Sequence, residues 1–105
     1  MTDYKLVLTT VGSQDEARTI AHALVEQRIA ACVNIVSQIE SIYRWRDNVD
    51  ESQEWLLVIK TTGAAFERVR DAIRQLSSYE LPECICISIE DGSTGYLEWI
   101  GESVH

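Results

Sequence analysis

The feature that most limits how this chain can fold is a long alternating segment at residues 29–46, followed by a second apolar segment. Successive side chains of a β-strand point to opposite faces, so residues of one parity share a face. One parity carries the apolar residues Val33, Ile35, Ile39, Tyr43 and Trp45, and the other carries the polar residues Asn34, Gln38, Glu40 and Arg44. Residues 47–52 are typical of a polar turn, and residues 53–62 return as a strand. The pattern predicts a long β-hairpin whose first strand can carry a bulge.

The predicted hairpin is longer than the body that should cover it. A strand of about 15 residues spans about 50 Å at roughly 3.3 Å per residue. A compact chain of 105 residues has a diameter of about 35 Å. The hairpin must therefore bend or project, and a projecting one exposes aromatic side chains and strand edges that favour aggregation. We expect partner subunits to cover it, so the sequence predicts an oligomer.

The remaining segments alternate between strands and helices. Residues 5–11 predict a buried strand, and Ser13 with Glu16 forms a capping box at the start of a helix over residues 14–28. A second helix follows a cap at Thr61 or Thr62, residues 83–90 predict the last strand after Pro82, and a short helix closes the chain. The order β-α-β-β-α-β places both long helices on one face of an antiparallel sheet. We predict one domain, residues 1–105, with a ferredoxin-like α+β sandwich fold.

Charge and cysteine content narrow the classes of partner. The formal net charge of −8 repels nucleic-acid phosphates and anionic membrane surfaces, so we expect neither as a partner. No segment has the length and apolarity of a membrane span. Three cysteines without an export signal favour free thiols in the cytoplasm. No nucleophile, acid–base or phosphate-loop constellation is present, which predicts a protein that is not an enzyme.

Two groups of residues are candidates for binding a ligand. Cys84 and Cys86 lie two apart, so their thiols share a strand face; they suit a soft metal, although packing as small core residues is the favoured interpretation. Cys32 is interpreted as core for the same reason. The acidic residues Glu51, Glu54, Glu80 and Glu83 offer hard oxygen ligands for divalent cations. Lys60 and Tyr79 sit at a strand end and on a loop, where binding sites are common.

The chain resembles a known family over nearly its whole length. The matching blocks, in order, are ARTIAHALVEQRIAACVNI (17–35), SIYRW (41–45), EWLLVIKT (54–61), SYELPE (78–83) and GSTGYLEWI (92–100). They resemble the CutA divalent-cation tolerance proteins, and the SIYxW and SYELPE blocks are the specific ones. The resemblance implies a ferredoxin-like subunit in a homotrimer whose architecture is shared with the PII signal proteins.

The resemblance also implies a role in the response to metal ions, with copper(II) as the usual ligand. In the copper-binding pattern a cysteine stands where this chain has Thr9, and two histidines stand where it has Leu76 and Ser77. Only Glu54 keeps a metal-ligating side chain at that site, so copper(II) or another divalent cation would rely on it. We expect the ligand-binding surface at a cleft between subunits near Glu54, Lys60, Tyr79 and Glu80.

The sequence thus predicts a cytoplasmic homotrimer that is involved in divalent metal tolerance and binds a metal ion. Two alternatives remain open at this point. One is a PII-like signalling protein that binds a small ligand or a protein partner. The other is a stable assembly scaffold whose effect on metals is indirect.

Overall fold

The protein is described by a computed structural model that covers residues 2–105. Its elements, in chain order, are β1 (Tyr4–Val11), α1 (Gln14–Glu26), β2 (Cys32–Trp45), β3 (Asn48–Thr62), a 3-10 turn (Gly63–Ala65), α2 (Phe66–Leu76), β4 (Ile85–Ser88) and α3 (Thr94–Ser103). The strands form one antiparallel sheet in the order β2-β3-β1-β4. Order and directions are those of the predicted ferredoxin-like α+β fold.

The core lies between α1, α2 and one face of the sheet. The odd-numbered residues of β1 and the second half of β3 point to this face, which explains their alternating burial. Apolar side chains from α1 and α2 pack against this face and complete the core. The largest core residues are Val7, Val11, Ile20, Leu24, Leu57, Ile59, Val69 and Ile73. α3 contacts the two central strands, β1 and β3. Burial of this face fixes the strand register, since a slip of one residue would turn the apolar side chains to the other side.

The ends of α1 show how local chemistry sets a helix. The Ser13 hydroxyl accepts a hydrogen bond from the Glu16 amide at 3.1 Å, which confirms the predicted cap. The predicted return contact from Glu16 is absent, because this carboxylate binds the loop after α2 instead. The helix stops at Glu26, two residues before the predicted end, since Arg28 adopts a left-handed conformation with φ of 58°. The amides of Arg28 and Ile29 donate back to the carbonyls of Val25 and Leu24, as in a Schellman motif.

The hairpin turns earlier than the polar stretch at residues 47–52 predicted. Trp45 pairs directly with Asn48, so the turn consists of Arg46 and Asp47 alone. Both have positive φ, 49° and 67°, as a two-residue type I′ turn requires. Residues 48–52 remain in β3 despite their polarity because this part of the hairpin is exposed to solvent on both faces.

A β-bulge divides β2 into two halves. The register shifts by one residue between Val36 and Ile39, and Gln38 adopts a φ of 56°. An extra residue reverses the parity of everything beyond it. Ile35 pairs with Leu57 on the core side, whereas Ile39 pairs with Glu54 on the opposite side. The bulge that the sequence pattern allowed is therefore present, and the single parity predicted along the strand does not hold beyond it.

The far half of the hairpin projects from the sheet. β1 pairs with β3 only from Trp55 to Thr62, so residues 48–54 are paired with β2 alone. The chain measures 44 × 26 × 22 Å, and Ile42 and Val49 in the projecting part are 65% and 62% exposed. The predicted long hairpin is confirmed, and of the two alternatives, bending or projecting, it projects. We call this two-stranded part, residues 39–54, the ribbon.

β4 is shorter than the predicted strand over residues 83–90. Cys84 lies just before it, half-buried against the core, as predicted. Cys86 is exposed, so its prediction as a core residue is wrong. It lies on β4, a short edge strand whose four residues are all exposed. Cys32, also predicted as core, is only half-buried.

Candidate functional site

A groove of about 770 Å³ lies between the ribbon and the loop that joins α2 to β4. The ribbon contributes residues 40–43, Trp45 and Glu54, the loop contributes residues 78–81 and Glu83, and β1 contributes Thr10. We call it the Glu54 groove. Its two walls come from segments that are about 25 to 40 residues apart in sequence, so only the fold assembles it.

Glu54 is the most buried charged residue of the groove. The residue is 7% exposed, and its Oε2 accepts a hydrogen bond from the Tyr79 hydroxyl at 2.7 Å. No lysine, arginine or histidine of residues 2–105 forms a salt bridge with it. Burial, the hydrogen bond and the negative charge of Glu54 together hold the pKa of Tyr79 well above its usual range. Tyr79 is therefore a neutral donor that holds the carboxylate in place.

The loop that carries Tyr79 is attached to the N-terminal end of α1. The Ser78 amide donates to Glu16 Oε1 at 3.0 Å, and the Tyr79 amide donates to the Ser77 hydroxyl at 3.2 Å. Gly12 provides the space for the ring, since a Cβ at that position would lie 3.1 Å from the Tyr79 hydroxyl oxygen. These contacts explain how Tyr79 reaches Glu54, 25 residues away in the sequence.

Glu80 fixes the other side of the loop. Its carboxylate pairs with the Arg46 guanidinium at the tip of the ribbon, with an N–O distance of 2.8 Å. The Arg46 guanidinium also lies over the Trp45 ring, 5.3 Å from its centroid. Both partners of the ion pair are about 70% exposed, and such pairs contribute little to stability. Its effect is to hold loop and ribbon together across the groove.

The electrostatics of the groove are negative throughout. Its charged lining residues are all carboxylates, namely Glu40, Glu54, Glu80 and Glu83, and only Glu80 has a salt-bridge partner among residues 2–105. Burial and the nearby charge of Glu54 raise the pKa of Glu83. The groove therefore has unbalanced negative charge that favours a cation.

Lys60 lies elsewhere in the chain. It is six residues from Glu54 on the same strand, which amounts to about 20 Å. Its ammonium donates to Asn34 Oδ1 and lies 3.9 Å from Cys32 Sγ. Three of the predicted site residues, Glu54, Tyr79 and Glu80, are thus brought together within one chain, and Lys60 is not.

The positions that matter for copper do not gather soft ligands. Thr9 is completely buried, and its hydroxyl has no hydrogen-bond partner within residues 2–105. Leu76 ends α2, and the Ser77 hydroxyl is occupied by the Tyr79 amide. No group of three or more histidine, cysteine, aspartate or glutamate side chains arranged for a metal occurs in the described part of the chain. These residues do not fit a copper(II) site built on thiolate and imidazole donors.

Sequence reasoning missed Gly12 and Glu16 as parts of the site. In the sequence, the only feature that distinguishes Gly12 is its position at the end of β1. The start of the next helix already explains a glycine there, so nothing indicates that Gly12 belongs to the site. Glu16 belongs by its spacing to the capping box, and nothing in the sequence indicates its contact with Ser78.

The comparisons with known proteins decide the family. The family model described as CutA1 divalent ion tolerance protein matches residues 5–103. The chain belongs to this CutA1 family.

Several relatives support the assignment. The divalent-cation tolerance protein CutA of Thermus thermophilus is 48% identical over 99 residues, which is 94% of this chain and 96% of that protein. The solved structure of Cut A1 from Thermus thermophilus has a TM-score of 0.95 at 47% identity and covers 97% of this chain and 99% of its own. CutA from Xylella fastidiosa gives a TM-score of 0.96 at 32% identity, covering 99% and 100%.

Other members of the CutA1 family differ in length and compartment. The human protein CutA is 40% identical over 91 residues, but this chain spans only 51% of its length. A relative from Arabidopsis thaliana is named as chloroplastic, and the structure from Archaeoglobus fulgidus is described as periplasmic. In the present chain, no helix of residues 2–105 is long and apolar enough to cross a membrane.

Proposed function

We propose that this CutA1 family protein contributes to divalent-cation tolerance by binding a divalent cation in the Glu54 groove. The observation that carries the proposal is the buried Glu54 carboxylate, which has a hydrogen bond from Tyr79 but no cationic partner among the described residues. Buried charges in proteins are normally paired or coordinate metals. A divalent cation would balance Glu54 and relieve its repulsion with Glu83.

The donor set favours a cation that prefers oxygen ligands. Glu54 and Glu83 offer carboxylate oxygens, and solvent can supply further oxygens because the groove is open. Magnesium, calcium and manganese prefer such ligands, whereas copper gains most from thiolate and imidazole. Thr9, Leu76 and Ser77 supply neither of these ligands. We therefore propose that the groove binds copper(II) only weakly, through carboxylate oxygens, and has no ligand that selects copper(II) over the other divalent cations.

We further propose that the working form is a cytoplasmic homotrimer. The sheet face away from α1 and α2 carries exposed apolar side chains on both edge strands, Val36 on β2 and Ile85 and Ile87 on β4, each more than 40% exposed. The ribbon adds two unpaired strand edges and the exposed Ile42. Exposed apolar surface of this kind usually marks an interface, and copies of the same chain would cover the ribbon and this face together.

Calorimetric titration tests the metal proposal directly. The protein is titrated at neutral pH with Mg(II), Mn(II), Zn(II) and Cu(II), and the same is done for Glu54→Gln. The matched control is Glu98→Gln, which removes one charge from an exposed position on α3 outside the groove. We expect stoichiometric binding that is lost in Glu54→Gln and kept in Glu98→Gln. No cation-dependent heat, or equal binding by all three proteins, would contradict the proposal.

Light scattering during size-exclusion chromatography tests the assembly independently. The expected mass is three times the chain mass of 11.9 kDa. Replacing Ile87 by Asp places a charge on the apolar face and should shift the mass toward a single chain. A single-chain mass for the unmodified protein at micromolar concentration would refute the trimer.

A further inference from the structure

A pair of cysteines outside the Glu54 groove lies on one side of the sheet at its β4 edge. Cys86 pairs with Val7, whose side chain is in the core, so Cys86 points to the same side of the sheet as α1 and α2. Cys84 packs against the core cluster on that side. Two residues apart on an extended chain, their Cβ atoms are separated by about 6.6 Å. Flexible thiol groups at this spacing can lean toward a single ion between them.

The pair is accessible and chemically free. Neither thiol is in a disulfide, Cys84 is half-buried and Cys86 is exposed. In the single chain, a ligand therefore reaches Cys86 from solvent without any movement, on the side of the sheet opposite to the apolar face of Ile85 and Ile87. No third cysteine, histidine or carboxylate completes a metal cluster in residues 2–105, which disfavours zinc because its protein sites need three or four ligands. Copper(I) is the biological metal that is satisfied by two thiolates, which as soft ligands select it.

Charges on α2 complement the anion that such a site would form. A copper(I) ion held by two thiolates has a net charge of −1. Burial and the neighbouring Cys86 raise the pKa of the Cys84 thiol, and the positive charges of Arg70 and Arg74 offset part of that increase. The guanidinium groups would stabilise the bound dithiolate in the same way.

We propose that Cys84 and Cys86 bind one copper(I) ion per chain as a dithiolate, independently of the Glu54 groove. On binding, the two thiols release two protons and form two S–Cu bonds, and the copper stays in the +1 state throughout. No oxidant or reductant takes part in the step.

Competition with a coloured copper(I) chelator tests this site. Under anaerobic conditions, the protein is added to the copper(I) complex of bicinchoninate and the loss of colour is followed. We compare Cys84→Ser, Cys86→Ser and, as the matched control, Cys32→Ser, which removes a thiol from the opposite edge of the sheet. Circular dichroism confirms that each variant is folded, and Cys86→Ser is the safest because its side chain is exposed.

We expect one equivalent of copper(I) to be withdrawn per chain. Loss of either ligand should weaken binding at least about 100-fold, since even the loss of a supporting contact costs roughly 10–100-fold at metal sites. Cys32→Ser and Glu54→Gln should bind as the unmodified protein does, which separates this site from the groove. The proposal is overturned if the unmodified protein withdraws no copper or if Cys86→Ser retains full affinity. The proposal is also overturned if the protein withdraws half an equivalent of copper(I) per chain and Cys84→Ser keeps the same affinity. In that case copper would bridge the Cys86 residues of two chains.

Discussion

Replacing Tyr79 by Phe removes the hydroxyl that donates to Glu54 and leaves the shape of the ring unchanged. A hydrogen bond to a charged group contributes roughly 1.5–3 kcal/mol to the free energy of unfolding. Glu54 is only 7% exposed, which favours the upper part of that range, but Tyr79 itself is half-buried and water can replace part of the bond. We therefore expect a loss of about 2 kcal/mol.

Guanidinium denaturation followed by circular dichroism measures this loss. For a chain of this size, about 2 kcal/mol corresponds to a decrease of roughly 0.5 M in the midpoint. All variants are compared at one protein concentration, because the stability of an oligomer depends on concentration. The slope of the transition should stay the same, since the surface exposed on unfolding does not change.

The Glu54→Gln background shows whether the carboxylate charge is responsible. A neutral amide oxygen still accepts from Tyr79, but such a bond contributes only about 1 kcal/mol. Tyr79→Phe should therefore cost about half as much in Glu54→Gln as in the unmodified protein. The reasoning fails if Tyr79→Phe costs less than about 0.5 kcal/mol, or if its cost is the same in both backgrounds.

Three further substitutions test separate features of the structure. Arg28→Gly should stabilise the protein by about 1 kcal/mol, because glycine adopts the left-handed conformation of Arg28 without the strain of a Cβ. Thermal unfolding measures this change, and the control Arg28→Ala should show no increase in stability. Thr9→Val should raise the free energy of unfolding by about 1 kcal/mol, since it replaces a buried hydroxyl that lacks a hydrogen-bond partner among the described residues; destabilisation in denaturant melts would show that the hydroxyl is satisfied. Glu83→Gln tests the raised pKa of Glu83. A carboxyl group whose pKa is higher in the folded state lowers the free energy of unfolding at pH values above that pKa. This loss disappears below the pKa of the unfolded chain, about 4.3. The variant should be more stable than the parent at neutral pH but equal to it at about pH 3.5, and an equal difference at both pH values would refute the assignment.

The groove illustrates which part of a site can be read from a sequence. Glu54, Tyr79 and Glu80 are candidates because of their residue types and their places at strand and loop positions, and the fold brings all three to one groove. Lys60 was grouped with them although six strand residues, about 20 Å, separate it from Glu54. That separation follows from the predicted strand itself, so strand geometry alone keeps Lys60 away from the Glu54 of the same chain. The contact of Glu16 with Ser78 cannot be predicted in this way, because it depends on how α1 and the loop after α2 meet.

The cysteine pair is the opposite case. Residues two apart on a strand share a face whatever the fold is, and that relation was predicted correctly. Their exposure was not, because burial depends on whether another element covers the strand. β4 is a short edge strand, which leaves Cys86 open to solvent while Cys84 packs against the core.

The sequence by itself determined the order of strands and helices, the cap at Ser13 and the great length of the hairpin. These features depend on contacts between residues that are close in the chain. The periodicity of the apolar residues and the helix-capping residues can therefore be read directly from the amino-acid sequence. Only the tertiary structure decided the bulge at Gln38, the two-residue turn at Arg46 and Asp47, and the space that Gly12 leaves for Tyr79. The register of β2 against β3 sets the position of the bulge and of the turn, and the packing of the loop after α2 against the end of β1 sets the contact at Gly12. A buried carboxylate held by a tyrosine 25 residues away exists only after the chain has closed around it.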